Sequence, residues 1–387
     1  MHLFNPKSVH TKKTLKQRYS PLFLLLFIAV LTAACGQTRQ TSVPTTSPAA
    51  ATQIPADQTT PQPANALASS TPAVPKLETT SLTLGSGRDP QLSPLLIIAK
   101  EQGFFQQEGL TVDIKLFAAG PDVVSAIASK SIQLGSTGDI PPIIAKASGL
   151  PLQAIAQHSN ISGVQTLVVN PDKIKKPADL KGKKVAYVSG TASEAFFLKI
   201  VEKYGLDLSS IQSFKVGPTE ILPAFQKKDV DAFVIWQPIA SKGVKEAGGF
   251  QLLTATQSYV PGEEGPQALF ASYSLLVGHK VFLDKNPETT KAALRALKKA
   301  ASYIKSNPDE SAAYVSKALE IDQETIKSIF KLNTYGLDIT PQVVDSLSNI
   351  SNFLLKNEKI KALPDLKEFI QTSYLKAVDP ALVTWTP

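Results

Sequence analysis

The sequence predicts an α/β protein whose two lobes face one cleft, behind an export leader and a tether. Three observations carry this reading. From Ser81 onward, short apolar runs alternate with longer stretches of helical spacing, the pattern of βαβ units. The alternation restarts after residues 166–169, as a second lobe would require. The 387 residues, 43% hydrophobic and 19% charged, supply enough apolar material for two lobes.

Residues 1–35 read as the leader. Lys7, Lys12, Lys13, Lys16 and Arg18 precede an apolar run over 22–31, followed by Thr32, Ala33, Ala34 and Cys35. A run of about ten residues is too short to cross a bilayer core, which takes roughly 20. Residues 36–78 hold seven prolines among Thr, Ser, Ala and Gln, with no aromatic residue. Such a stretch cannot bury enough apolar surface to offset its ordering entropy, so it is expected to be a disordered tether.

The body follows. A strand over 82–84 ends in Gly85, Ser86 and Gly87, and Ser93 before Pro94 opens a helix toward Gly103. A strand over 111–117, a helix over 120–130, a strand over 133–136, a helix over 138–148 and a strand over 152–157 complete the first series. The second runs through strands at 166–169 and 184–188, a helix over 192–204, a strand at 213–216, a helix over 219–227, and strands at 232–235 and 251–253. After a strand over 273–277 the chain reads as helical. Asn286-Pro287, Asn307-Pro308 and Thr340-Pro341 each place a capping residue before a proline, marking helix starts. This alternation predicts right-handed βαβ units and mainly parallel sheets. Lobe I is expected over 79–163 and 270–387, carrying the C-terminal helices, and lobe II over 164–269. Extended segments near 161–163 and 268–271 are the expected crossovers.

Charge and residue counts exclude several classes. Five of the 40 Lys and Arg residues lie in the first 34 positions, leaving 35 basic against 32 acidic residues, which argues against nucleic acid as a partner. The single cysteine, Cys35, rules out internal disulfides and cysteine-based metal sites. Only His158 and His279 lie beyond the leader, so no poly-histidine metal centre is expected, and neither is assigned a role.

The run from Gly135 through Ser136, Thr137, Gly138, Asp139, Ile140, Pro141 and Pro142 to Ile143 resembles a signature of the aliphatic-sulfonate binding proteins of ABC importers, within the nitrate/sulfonate/taurine group. Asp179-Leu180-Lys181-Gly182-Lys183-Lys184-Val185-Ala186, Ser189-Gly190-Thr191 and the run from Val230 to Trp236-Gln237-Pro238 are similar to the same family, as is, more loosely, Ala99 to Phe105. The small residues before Cys35 resemble the lipobox of bacterial lipoproteins, with Thr32 where Leu is commoner. The resemblance implies a periplasmic-binding-protein type II fold without catalysis or cofactor. It also implies a monomer at the periplasmic or extracytoplasmic face, lipidated on Cys35 and tied to the membrane by that anchor. The ligand is a small organic anion, a sulfonate first, with taurine, nitrate, bicarbonate or a pyrimidine precursor as alternatives. The partners are an ABC permease and its ATPase. The turn from Gly85 to Gln91 departs from the pattern in its length, and Gln237 stands where Asp is common; both positions are expected to face the cleft.

The ligand-binding candidates are Gly85, Ser86, Thr137, Gly138, Asp139, Gly190, Thr191, Ser193, Trp236 and Gln237. Thr137, Gly138 and Asp139 lie where a strand gives way to a helix, whose free N–H groups and dipole favour an anion. Pro141 and Pro142 have no N–H to give an Asp139 cap. Asp139 is therefore left to orient a loop, to meet a cationic ligand group, or to fasten a nearby backbone N–H. Thr191 and Glu194 fit a capping box, leaving the N–H groups of Gly190, Ala192 and Ser193 and the Ser193 hydroxyl for the ligand. Trp236 ends an apolar strand, either as core or as cleft lining, and Arg88 is read as a solvated arginine. An enzyme on the same fold is the rival from another class. It would want a nucleophile or an acid–base pair, and the sequence offers no Gly-x-Ser-x-Gly elbow and no phosphate-cradling glycine loop. A sensor presenting its closed form to a receptor is the third reading.

Overall fold

The computed structural model describes residues 76–386; the expected leader, Cys35 and nearly all of the expected tether lie outside them. Glu78, at the tether's far end, belongs to the body: its carboxylate accepts from the N–H groups of Glu288 and Thr289 and from the Thr289 hydroxyl.

The first series is β1 (Ser81–Gly87), α1 (Pro94–Glu101), α2 (Phe104–Gln107), β2 (Thr111–Phe117), α3 (Gly120–Ala128), β3 (Leu134–Gly138), α4 (Ile140–Ala147) and β4 (Leu152–Asn160). The second is β5 (Gln165–Val169), β6 (Lys184–Tyr187), α5 (Ala192–Lys203), β7 (Gln212–Lys215), α6 (Pro218–Gln226), β8 (Ala232–Trp236), α7 (Ile239–Ala247) and β9 (Phe250–Thr254), followed by the short β10 (Gln257–Ser258) and β11 (Gly265–Pro266). The chain then returns in β12 (Tyr273–His279), α8 (Lys280–Lys285), α9 (Pro287–Ser306), α10 (Pro308–Leu319) and α11 (Gln323–Phe330). It ends in β13 (Thr334–Tyr335), α12 (Pro341–Lys356), α13 (Leu366–Phe369) and α14 (Ser373–Val378).

Two sheets result. The first has the order β13-β4-β12-β3-β1-β2, the second β11-β10-β9-β5-β8-β6-β7. In each, a parallel trio (β2-β1-β3 and β7-β6-β8) is followed by an antiparallel strand, β12 or β5, and a further antiparallel neighbour. The expectation of mainly parallel sheets is corrected here. β5 enters the second sheet from the first, and β12 comes back from the second; both run against the trio they join. Apolar periodicity reports which residues are buried but not strand direction.

The helices start where the prolines stand. Pro94, Pro287, Pro308 and Pro341 all occupy the first turn, where a missing N–H costs nothing. The C-terminal segment is not wholly helical, because β13 pairs with β4. α7 has no counterpart among the expected elements. Its Gly243 sits against the Phe233 ring, where a Cβ would come to 2.3 Å of the ring carbon, so a small residue is required inside that helix. Inner strands such as β8, with Phe233, Val234 and Ile235 fully buried, are sandwiched between helix layers on both faces. Among the described residues no helix is long and apolar enough to cross a membrane.

The chain leaves the first sheet after Asn160 and returns to it at Tyr273. The two connections are laced together: the Ile161 N–H donates to the Ser272 carbonyl at 2.9 Å, and the Ser272 N–H donates to the Ser162 hydroxyl at 3.1 Å.

Candidate functional site

Between the lobes lies a cavity of about 40 Å³. Lobe I contributes Asp89, Gln91 and Leu92 from the loop after β1, Gly120 at the start of α3, Gly138 and Pro141 at the start of α4, and Ile161. Lobe II contributes Gln165 at the start of β5, Thr191 and Ala192 at the start of α5 and Trp236 at the end of β8; Val164 comes from the crossover. Three helix N-termini therefore meet at one cavity, from both lobes. Among the described residues no Lys, Arg or His lines it.

The local sequence makes these starts available to a ligand. Gly120 is the first residue of α3, with Pro121 next, and Asp122 accepts from the Ala119 N–H, leaving the Gly120 N–H without an intrahelical acceptor. A Cβ on Gly120 would fall 2.5 Å from the Thr137 hydroxyl and 2.9 Å from the Pro141 ring, so the approach of β3 and α4 depends on the glycine. In α5, the Thr191 hydroxyl accepts from the Ser193 N–H at 3.2 Å and donates to the Val188 carbonyl at 2.7 Å. Ala192, first in the helix, keeps its N–H free of intrahelical bonding.

The expected residues divide. Gly138, Thr191 and Trp236 line the cavity. Thr137 is buried, its hydroxyl unpartnered, beneath Gly120. Gly85 and Ser86 lie inside β1, and the Ser86 hydroxyl donates to the Gly87 carbonyl at 3.1 Å. The Gly190 N–H, in a left-handed backbone at φ 69°, is taken by the Glu194 carboxylate at 2.8 Å. Ser193 uses its hydroxyl twice within lobe II, accepting from Val188 N–H and donating to the Val234 carbonyl. Gln237 turns away: its Oε1 accepts from the N–H and hydroxyl of Ser241 at the start of α7. Arg88 is exposed.

Asp139 does not cap α4, as the two prolines require, and does not line the cavity. It is fully buried and accepts from the Ser272 hydroxyl at 2.9 Å and the Tyr273 N–H at 2.8 Å, fastening the returning crossover. Burial raises its pKa to about 7, against the lowering pull of those two bonds. Asp89 is similar: burial raises it to about 7, opposed by the N–H groups of Gln91 and Leu92 on its Oδ1. Below the cavity, His158 is buried with Nδ1 2.9 Å from the Ser136 hydroxyl, and burial lowers its pKa to about 3. His279 caps α8 through Nδ1.

Sequence reasoning expected the turn over 85–91 at the cleft but did not single out Asp89 and Gln91, and it missed Gly120 and Gln165. The signals available were a polar, glycine-flanked loop of unusual length for the first two and a Gly-Pro helix start for the third. Nothing in the spacing marks Gln165. Among the described residues no cluster of His, Cys, Asp and Glu is arranged to hold a metal.

Comparison with known proteins gives three kinds of likeness. The sequence model of a family described as NMT1/THI5 like matches residues 90–311. The taurine-binding periplasmic protein of Escherichia coli K12 is 24% identical over 296 residues, 73% of this chain and 89% of that protein. The alkanesulfonate-binding protein SsuA from Xanthomonas axonopodis pv. citri, solved with MOPS, superposes with a TM-score of 0.66 at 19% identity, covering 77% of this chain and all of that one. The desulfurization enzyme DSZB also shares the fold, with a TM-score of 0.58 at 13% identity over 78% of this chain and 99% of its own.

Proposed function

The chain belongs to the NMT1/THI5-like family, and from that premise we propose that it is an extracytoplasmic solute-binding protein that captures a small organic anion, an aliphatic sulfonate first, and hands it to an ABC importer. The observation that carries this is the meeting of three helix N-termini, α3, α4 and α5, at one interlobe cavity that no basic side chain among the described residues lines. Free N–H groups and aligned peptide dipoles supply positive potential there. A sulfonate spreads one weakly basic charge over three oxygens, so several modest donors suit it better than one strong ion pair. Trp236 and Leu92, with Ile161 and Val164, offer an apolar wall for carbon. The periplasmic taurine-binding relative and the alkanesulfonate-binding neighbour support the same class.

What faces the cavity supports a binding role rather than catalysis. The Thr191 hydroxyl is committed to Val188, and among the described residues the one titratable side chain lining the space is Asp89, without a base or nucleophile beside it. Within this proposal the leader exports the chain, Cys35 carries the lipid, and a monomer on its tether reaches the permease and its ATPase in the same membrane. Titration calorimetry with an alkyl sulfonate, the matching carboxylate and nitrate tests the ligand class. Tightest binding of the sulfonate is expected; tighter binding of nitrate or the carboxylate overturns the sulfonate assignment. Retention of acylation and membrane partition in Cys35→Ala would overturn the anchor.

A further inference from the structure

The loop between β1 and α1 is buried over residues 89–92, and each of its four carbonyls there is taken by a side-chain hydroxyl of lobe I. We propose that three of these hydroxyls, on Tyr335, Ser159 and Ser136, are positioning groups for the ligand site: they hold the loop where Gln91 and Leu92 meet lobe II and shut the cavity. The proposal rests on the reading of that cavity as the ligand seat.

A loop at the surface leaves its carbonyls to water, whereas a buried one must find donors in the protein. Here the Ser93 hydroxyl donates to the Asp89 carbonyl at 2.7 Å, Tyr335 to Pro90 at 2.5 Å, Ser159 to Gln91 at 2.6 Å and Ser136 to Leu92 at 2.7 Å. Ser93 belongs to the loop itself, but the other three come from the sheet, one each from β13, β4 and β3. Tyr335 and Ser159 stand opposite each other in the β13–β4 ladder, so one paired position serves two successive carbonyls. Ser136 is steadied in turn by His158 Nδ1 at 2.9 Å and the Ser274 hydroxyl at 3.1 Å. The N–H groups of Gln91 and Leu92 go to Asp89 Oδ1, so the backbone of both residues is committed within lobe I.

What the loop carries to the other lobe gives this lacing its role. Gln91 Nε2 donates to the Gln237 carbonyl just past β8, across the cleft. Leu92 clusters with Ile161, Val164 and Ile329, and Trp236 packs on that cluster from lobe II. Gln91, Leu92 and Trp236 all line the cavity, so these contacts stand at its edge. A hydrogen bond weakens steeply with misplacement, and the height of the loop therefore decides whether the two lobes can meet. Tyr335 and Ser159 fix the backbone on either side of the Gln91 side chain, and Ser136 fixes Leu92. Through Tyr335, the C-terminal segment reaches a site that it does not line.

The chain has two tryptophans, so Trp385→Phe leaves Trp236 as a reporter of the contact. In that background Tyr335→Phe keeps the ring that packs on Phe330, 5.0 Å between centres, and removes only the hydroxyl. Ser159→Ala removes the neighbouring hydroxyl, and Gln91→Leu removes the interlobe bond itself. Without ligand, each change is expected to favour parted lobes and raise acrylamide quenching of Trp236 roughly twofold or more. With ethanesulfonate as the probe, each is expected to speed release by about five- to tenfold, as the loss of one buried hydrogen bond would. Added to Gln91→Leu, Tyr335→Phe and Ser159→Ala are each expected to show less than about half their separate effect, because they act through Gln91. Unchanged quenching and release in both Tyr335→Phe and Ser159→Ala overturn the proposal. So do effects that multiply fully with those of Gln91→Leu, the mark of a general loosening of lobe I. If ethanesulfonate does not bind the wild-type protein, the sulfonate reading falls, and quenching without ligand still decides the positioning role.

Discussion

Gly120 shows how much of the site depends on a single missing atom. A methyl group there meets the Thr137 hydroxyl at 2.5 Å and the Pro141 ring at 2.9 Å, and neither neighbour is the free end of a long side chain. Gly120→Ala is therefore expected to displace the α3 start and weaken ligand binding at least tenfold. Calorimetry alongside a thermal-melt check of the fold tests it; unchanged affinity would place the ligand away from α3. His158 offers a second test at this scale. Buried and neutral in the folded state, it must take a proton on unfolding below about pH 6.5, so its contribution to stability is present above that pH and is lost as pH falls toward 3. Asp89 and Asp139, raised by burial to about 7, act with the opposite sign: stability they contribute below about pH 4 is lost as pH rises through 7. A His158→Gln variant is expected to gain on wild type between pH 6.5 and 4, by up to about 3 kcal/mol at one pKa unit per 1.36 kcal/mol. Denaturant melts at the two pH values measure it, and a constant gap would show that His158 is not the acid-sensitive group.

Among the elements, α5 and α12 meet across the lobes. Glu194, in the first turn of α5, accepts from the Gly190 N–H and the Ser189 hydroxyl, while its other oxygen takes the Lys359 ammonium at 2.8 Å. Burial works to raise its pKa, yet the Gly190 N–H and Lys359 hold it below the usual carboxylate range. Lys356 pairs with Glu202, and the Lys199 ammonium lies 4.3 Å from the Phe353 ring centre. The segment around α12 thus grips the helix whose start lines the cavity. Lys359→Met is expected to speed ligand release roughly fivefold, on the order of 1 kcal/mol, and to make release less sensitive to salt. Stopped-flow displacement at two salt concentrations decides it; an unaltered release rate with a lowered melting point would make the pair purely structural. Much at this scale was legible from sequence: proline-marked starts and apolar alternation located most strands and helices. α7 escaped because its interior glycine and polar composition, Ile239–Ala247, hide its apolar face. The site was read in part. Gly138, Thr191 and Trp236 sit on recognisable motifs, whereas Asp89, Gln91 and Gln165 converge only when a loop and the start of β5 fold together.

At the scale of the whole molecule, the two sheets repeat one plan, each with its parallel trio followed by an antiparallel strand from the other lobe's side of the chain. Two crossovers join them, and the cavity residues come from both. Ligand is therefore expected to favour the closed arrangement. Small-angle scattering is expected to show a smaller radius of gyration at saturating ligand, with the free protein sampling wider openings; an identical radius with and without ligand would mean that closure is already complete.

Were the lobes to close on ligand as expected, Asp139 would stand beside the axis of that motion. Its carboxylate ties the base of α4 to Ser272 and Tyr273, and its neighbour Gly138 lines the cavity, so the tie to the returning crossover and the proposed ligand seat are one residue apart. A body turning about an axle moves least beside it and most at its edge. On the proposed importer role, small adjustments around a bound ligand would be magnified into long arcs at the outer faces of the lobes, where a membrane partner could distinguish a loaded carrier from an empty one without touching the cargo.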